Sequence, residues 1–152
     1  MKLSKNKIVV NAPVLEHLTV RDDYLPCYSL NNLSLLVRAY INVGHFCIEL
    51  LGTKEHANKL FMLLEGITSV KFLSLAAATM GDPSCDKNGA KYDFDWIELL
   101  REMPSCFSFL EEIRFSRFKG DDDEFKLLKY FLENTEALNM FLLGSDIDCL
   151  WC

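Results

Sequence analysis

The chain's last four residues, Cys149-Leu-Trp-Cys152, are its one C-x-x-C, and two thiols at that spacing are the raw material of a zinc site or a redox pair. Zinc needs four ligands, and no second C-x-x-C and no pair of histidines at ligand spacing supplies the other two. A redox pair draws its low thiol pKa from the start of a helix, whereas this sequence stops at the second cysteine. The pair therefore reads as incidental thiols on a tail. His45 stands two residues before Cys47, but that spacing in an extended segment builds no triad and no orienting acid is evident. His17 and His56 read as surface residues. Asp121, Asp122, Asp123 and Glu124 lack the alternation around a glycine-bearing loop that calcium requires. Acids in a first helical turn complement the partial positive charge there, so this run marks where a helix starts. With no G-x-S-x-G, phosphate-cradling glycine loop or H-E-x-x-H in the chain, we expect no catalytic residue, no cofactor and no metal.

The elements that would position any site come from an internal repeat. Five segments share the spacing L-x-x-L-x-L: LEHLTV (15–20), LVRAYI (36–41), VKFLSL (70–75), LEEIRF (110–115) and LNMFLL (138–143). The final apolar positions alternate as in a strand with one buried face, so each segment is predicted to be a short strand. The steps between them are 21, 34, 40 and 28 residues, a leucine-rich-repeat spacing at the two ends and longer in the middle. Helical periodicity appears between strands. Ala57, Leu60, Phe61, Leu64 and Ile67 form a stripe over 54–67, with Thr53 as N-cap; Trp96, Leu99 and Leu100 define a shorter helix over 93–103, capped by Asp93 or Asp95; Phe125, Leu128, Phe131 and Leu132 form a third buried stripe. Residues 80–92 read as an exposed loop, and 22–32 as a linker too short for a full helix.

Half of the 152 residues are hydrophobic, enough for one domain with a sizeable core. A formal charge of −6 argues against nucleic acid, whose binding surfaces cluster Lys and Arg. No uninterrupted apolar run approaches the roughly 18 residues of a membrane span, and MKLSKNKIVV is too short an apolar segment for a secretion signal. The expectation is an intracellular protein, cytoplasmic or nuclear, with no membrane partner. Its six scattered cysteines (Cys27, Cys47, Cys85, Cys106, Cys149, Cys152) are then reduced thiols.

Three stretches carry a family resemblance: NAPVLEHLTVRDDYLPCYSLNNLSLLVRAYINV, LEGITSVKFLSL and MPSCFSFLEEIRFSRFKGDDDEFKLLKYFLENTEALNMFLL. Together they resemble the C-terminal half of plant F-box proteins with leucine-rich repeats and an FBD region. The most specific positions are Pro104, Cys106, Leu110, Phe118, Lys119, Gly120, Glu124, Tyr130, Leu132, Glu133 and Asn134. The resemblance implies target recognition for a ubiquitin ligase, in which an F-box holds a Skp-type adaptor and the repeats hold the target. No F-box-like segment precedes residue 11, which argues against direct adaptor binding, and one repeat is missing between VKFLSL and the FBD region.

The predicted fold is α/β: a leucine-rich-repeat-like region over 1–103 and an FBD-like region over 104–152, forming a curved, mostly parallel sheet with helices on one side. If Leu18 and Val20 point inward, His17, Thr19 and Arg21 point outward; the same alternation presents Arg38, Tyr40 and Asn42, then Phe72 and Ser74, then Glu112, Arg114 and Ser116. Arg, Tyr and Phe are types that dominate interface energetics. The expected function is a non-catalytic protein-interaction module whose target protein contacts His17, Arg21, Arg38, Tyr40, Asn42, Phe72, Glu112 and Arg114. The alternative is a shortened family copy whose sheet face meets only solvent.

Overall fold

The structure is a computed structural model, and it describes residues 7–22, 26–43, 54–76, 107–116, 118, 120 and 122–144. The predicted helix over 93–103, the loop over 80–92, the N-cap Thr53, the pair His45 and Cys47, and Cys149 and Cys152 lie outside these residues, as do the side chains of the acidic run. Of the cysteines, Cys27 is described; it is a half-buried free thiol.

The strands are β1 (Lys7–Asn11), β2 (His17–Asp22), β3 (Cys27–Asn31), β4 (Arg38–Val43), β5 (Phe72–Ala76), β6 (Glu112–Ser116) and β7 (Met140–Gly144); the helices are α1 (Lys54–Glu65) and α2 (Asp122–Asn134). Five strands form one sheet in the order β2-β4-β5-β6-β7, and β1 pairs with β3 in a second; every one of these pairings is parallel. Parallel neighbours need crossovers, and α1 and α2 supply two of them.

The five L-x-x-L-x-L segments form the five strands of the larger sheet, and the leading apolar residue of each sits in a turn just before its strand. Leu15, Leu36, Val70, Leu110 and Leu138 each donate their N–H to the carbonyl three residues back, on Ala12, Leu33, Ile67, Phe107 and Thr135, at 3.1 to 3.4 Å. A second ladder ties each turn to the next. Glu16 O accepts from the N–H groups of Val37 and Arg38, Val37 O from Lys71 and Phe72, Lys71 O from Glu111 and Glu112, and Glu111 O from Asn139 and Met140, all at 2.8 to 3.1 Å. Identical bonding at every step locks the strands in one register, so side chains at equal repeat positions line up across the sheet.

The inward positions of these strands, Val20, Ile41, Leu73, Leu75, Ile113 and Phe115, share one core with Leu60, Leu63 and Leu64 of α1 and Phe131 of α2. Both helices thus cover the same face. Four of the five residues three before a leading position are also sequestered: Leu33, Ile67 and Phe107 join the core, and buried Thr135 hydrogen-bonds back to Phe131 O, while Ala12 is half-buried against it.

Two expectations are corrected. Residues 22–32 are not merely a linker: β3 forms there, because Tyr28 is buried in the core while its backbone pairs with β1. The stripe of α2 is also rotated from the predicted one. Phe131 is fully buried, whereas Phe125 and Leu132 are 51% and 56% exposed. Phe131 anchors the helix between Phe107 and Phe115, with ring centroids 5.5 and 6.4 Å away, and this turns Phe125 and Leu132 toward the rim.

Before α2 the chain turns at Gly120, whose φ of +79° is left-handed backbone that disfavours a Cβ. Gly120→Ala is expected to cost about 1 kcal/mol from backbone strain, because the space around it is open enough for a methyl group. A lowered urea midpoint with unchanged m would report it.

Candidate functional site: the outward face of the five-stranded sheet

Strand alternation leaves a second face, away from the helices. Its first row, by register, is His17, Arg38, Phe72, Glu112 and Met140; its second is Thr19, Tyr40, Ser74, Arg114 and Leu142. A third row brings together Arg21 with Asn42, and Ala76 with Ser116 and Gly144. The eight residues expected to make contacts, on β2, β4, β5 and β6, therefore share one surface.

That surface is structured rather than loosely solvated. The Arg38 guanidinium lies over the Phe72 ring at 4.4 Å and Arg21 over the Tyr40 ring at 5.4 Å, which are cation–π distances. The Asn42 amide donates to the Tyr40 hydroxyl at 3.3 Å. Arg114 pairs with Glu112 on its own strand at 3.4 Å, both side chains largely shielded. At the edge where the strands begin, Lys71 and Glu111 make a more exposed pair at 3.2 Å.

Exposure varies sharply across the face. His17, Thr19 and Arg21 on the edge strand β2 are exposed; Arg38, Asn42, Phe72, Glu112 and Arg114 are half-buried; Tyr40 is 5% exposed although it lies outside the helix-side core. Tyr40 and Ser74 thus form the floor of the site, with the arginines above them. Alternation alone placed eleven residues outward without separating floor from rim. Strand order was the missing signal, since central strands are flanked on both sides and edge strands on one.

Ser116 is only 6% exposed, and among the described residues its Oγ meets no hydrogen-bond partner, nor does the buried Oδ1 of Asn42. Buried polar atoms are nearly always satisfied, so these two stand out on this face. Sequence reading had placed Ser116 outward without distinguishing it from Ser74. Among the described residues no group of three His, Cys, Asp or Glu is placed to hold a metal ion, and His17 shares its row with Arg38 and Phe72 rather than with a nucleophile. No helix among the described residues is long and apolar enough to cross a membrane.

Comparison with known proteins finds likeness to one family over part of the chain. Residues 100–143 match the FBD family model, a segment that includes β6, α2 and most of β7. The F-box/FBD/LRR-repeat protein At5g22660 of Arabidopsis thaliana is 24% identical over 186 aligned positions, covering 92% of this chain and 41% of the relative. The chain thus spans about two fifths of that relative's length. The alignment is longer than the chain itself, so the relative carries residues that this chain lacks. No solved structure matches.

Proposed function

We propose that this chain, a member of the FBD-containing plant family, is a non-catalytic protein-interaction module, akin to the substrate-recognition half of an F-box ubiquitin-ligase subunit. Its scaffold is read as a curved leucine-rich-repeat stack, a reading supported by the identical turn and ladder bonding at all five strands. The single observation that carries the function is the outward face: a register-locked sheet surface on which two arginines lie over aromatic rings. Aromatic side chains give large contact areas, and arginines already held over rings have less freedom to lose on binding, which suits both types to interfaces. The partner is a protein, held by contacts from Arg21, Arg38, Tyr40, Phe72 and Arg114. The compartment this reading assumes is the cytoplasm or nucleus.

Arg21→Glu with Arg38→Glu reverses the charge of the rim without opening the core, since neither residue belongs to it. Lys126→Glu with Lys129→Glu on the exposed side of α2 makes the same charge change elsewhere. In capture from a plant extract, proteins held by wild type and by the α2 variant should be lost from the rim variant by at least about tenfold, the effect of roughly 1.4 kcal/mol. The same proteins captured equally by all three chains would contradict the proposal.

A further inference from the structure

Charge is unevenly placed on this acidic protein. The chain carries a formal −6, yet the described outward positions of the five strands hold three arginines (Arg21, Arg38, Arg114) and one acid, Glu112. Two of the arginines lie on β2 and β4 at one end of the sheet, Glu112 and Arg114 neutralise one another on β6, and the other end is apolar, with Met140 half-exposed and Leu142 half-buried on β7. The face therefore has a cationic side that reaches the Phe72 ring on β5, a neutral pair on β6 and an apolar end on β7.

Resting on the interaction reading above, we propose that this face recognises an extended acidic–apolar segment of the partner protein, running across the strands. Its carboxylates lie over Arg21 and Arg38, and a large apolar side chain about four residues further on rests against Met140 and Leu142. The spacing follows from where the charges sit: the Arg21 guanidinium over Tyr40 lies above β4, three strand intervals or about 14 Å from β7, and an extended chain advances about 3.3 Å per residue, so the apolar side chain falls about four residues after the first carboxylate, with the second above Arg38 and Phe72 on β5 between them. Charge complementarity selects the acidic end, because a basic segment would meet two guanidiniums held in place by Tyr40 and Phe72.

The test uses the full chain and three fluorescein-labelled peptides, Gly-Xaa-Ser-Xaa-Ser-Leu-Gln-Ser-Gly with Glu, Gln or Lys at both Xaa, so that both Xaa and the Leu share one face of an extended segment, read by anisotropy. The Glu peptide should bind about tenfold tighter than the Gln peptide and weaken as salt rises, with the Lys peptide weakest. Arg21→Gln and Arg38→Gln should each weaken the Glu peptide about threefold to fivefold, while Glu112→Gln should tighten it about threefold by removing the one acid on the path. Equal binding of all three peptides, preference for Lys, indifference to the arginine variants, or no binding of the Glu peptide would each overturn the proposal. A Gln peptide bound as tightly as the Glu peptide and displaced by captured partner would sink the acidic specificity alone. The broader interaction reading fails separately, in the rim-variant capture.

Discussion

Phe131→Ala should remove about 3–5 kcal/mol of stability, the usual cost of deleting a fully buried aromatic ring. Phe131 is completely buried and lies edge-on to Phe107 at 5.5 Å, Phe115 at 6.4 Å and Tyr130 at 5.6 Å. Its ring is the point where α2, the turn before β6 and β6 itself meet. Truncation would leave a cavity bordered by two strongly packed rings that cannot collapse without moving the helix. Phe125→Ala, six residues earlier, is the informative control. Phe125 is half exposed and its described aromatic partner is Phe118, at 5.4 Å and perpendicular, so its loss should cost only about 1 kcal/mol. Urea unfolding of the two variants measures the difference. Equal losses would mean that the helix is rotated from the orientation described.

Gly66→Ala should cost about 2–3 kcal/mol, the upper part of the usual range for overpacking. Gly66 follows α1, where the chain passes against β3, and a Cβ there would lie 2.6 Å from Leu30 Cβ and 3.0 Å from Leu30 Cδ1. The nearest atom is fixed to the β3 backbone, so no rotamer change relieves the clash and the helix end must move away from the strand. Leu30→Ala keeps that Cβ and should fail to rescue the variant; Leu30→Gly removes it and should recover part of the loss. Thermal unfolding of the single and double variants checks both statements. Full rescue by Leu30→Ala would show that the clash is with the flexible end of the side chain instead.

The five strands were legible because each pairs a leading apolar residue with two alternating ones, and this pattern is local. The residues three positions earlier, Leu33, Ile67, Phe107 and Thr135, belong to the same pattern but were not read as part of it: Ala12 and Thr135 obscure an apolar consensus, and Ile67 was assigned to the helical stripe before it. β1 and β3 were missed for a different reason. KIVVN and CYSLN are short, and what makes them strands is their pairing with each other across the start of the chain, a non-local contact. The reading of α2 erred in phase, because the apolar residues Phe125 and Leu132 cannot be told from Phe131 until the position of Phe107 and Phe115 is known. For the candidate site, alternation placed the eight residues on one face, but the cation–π stacking of Arg38 on Phe72 required knowing that β4 and β5 are neighbours in register.

The central claim is that the outward sheet face, and not the helix side, meets a partner protein. A photo-crosslinking residue placed at exposed Thr19, on the face between His17 and Arg21, tests it most directly, with the same residue at exposed Lys126 on α2 as the comparison. After irradiation in plant extract, the account predicts a discrete protein adduct from position 19 that is lost with Arg21→Glu and Arg38→Glu, and no such adduct from position 126. The same adduct from both positions, or one from position 126 alone, would contradict it.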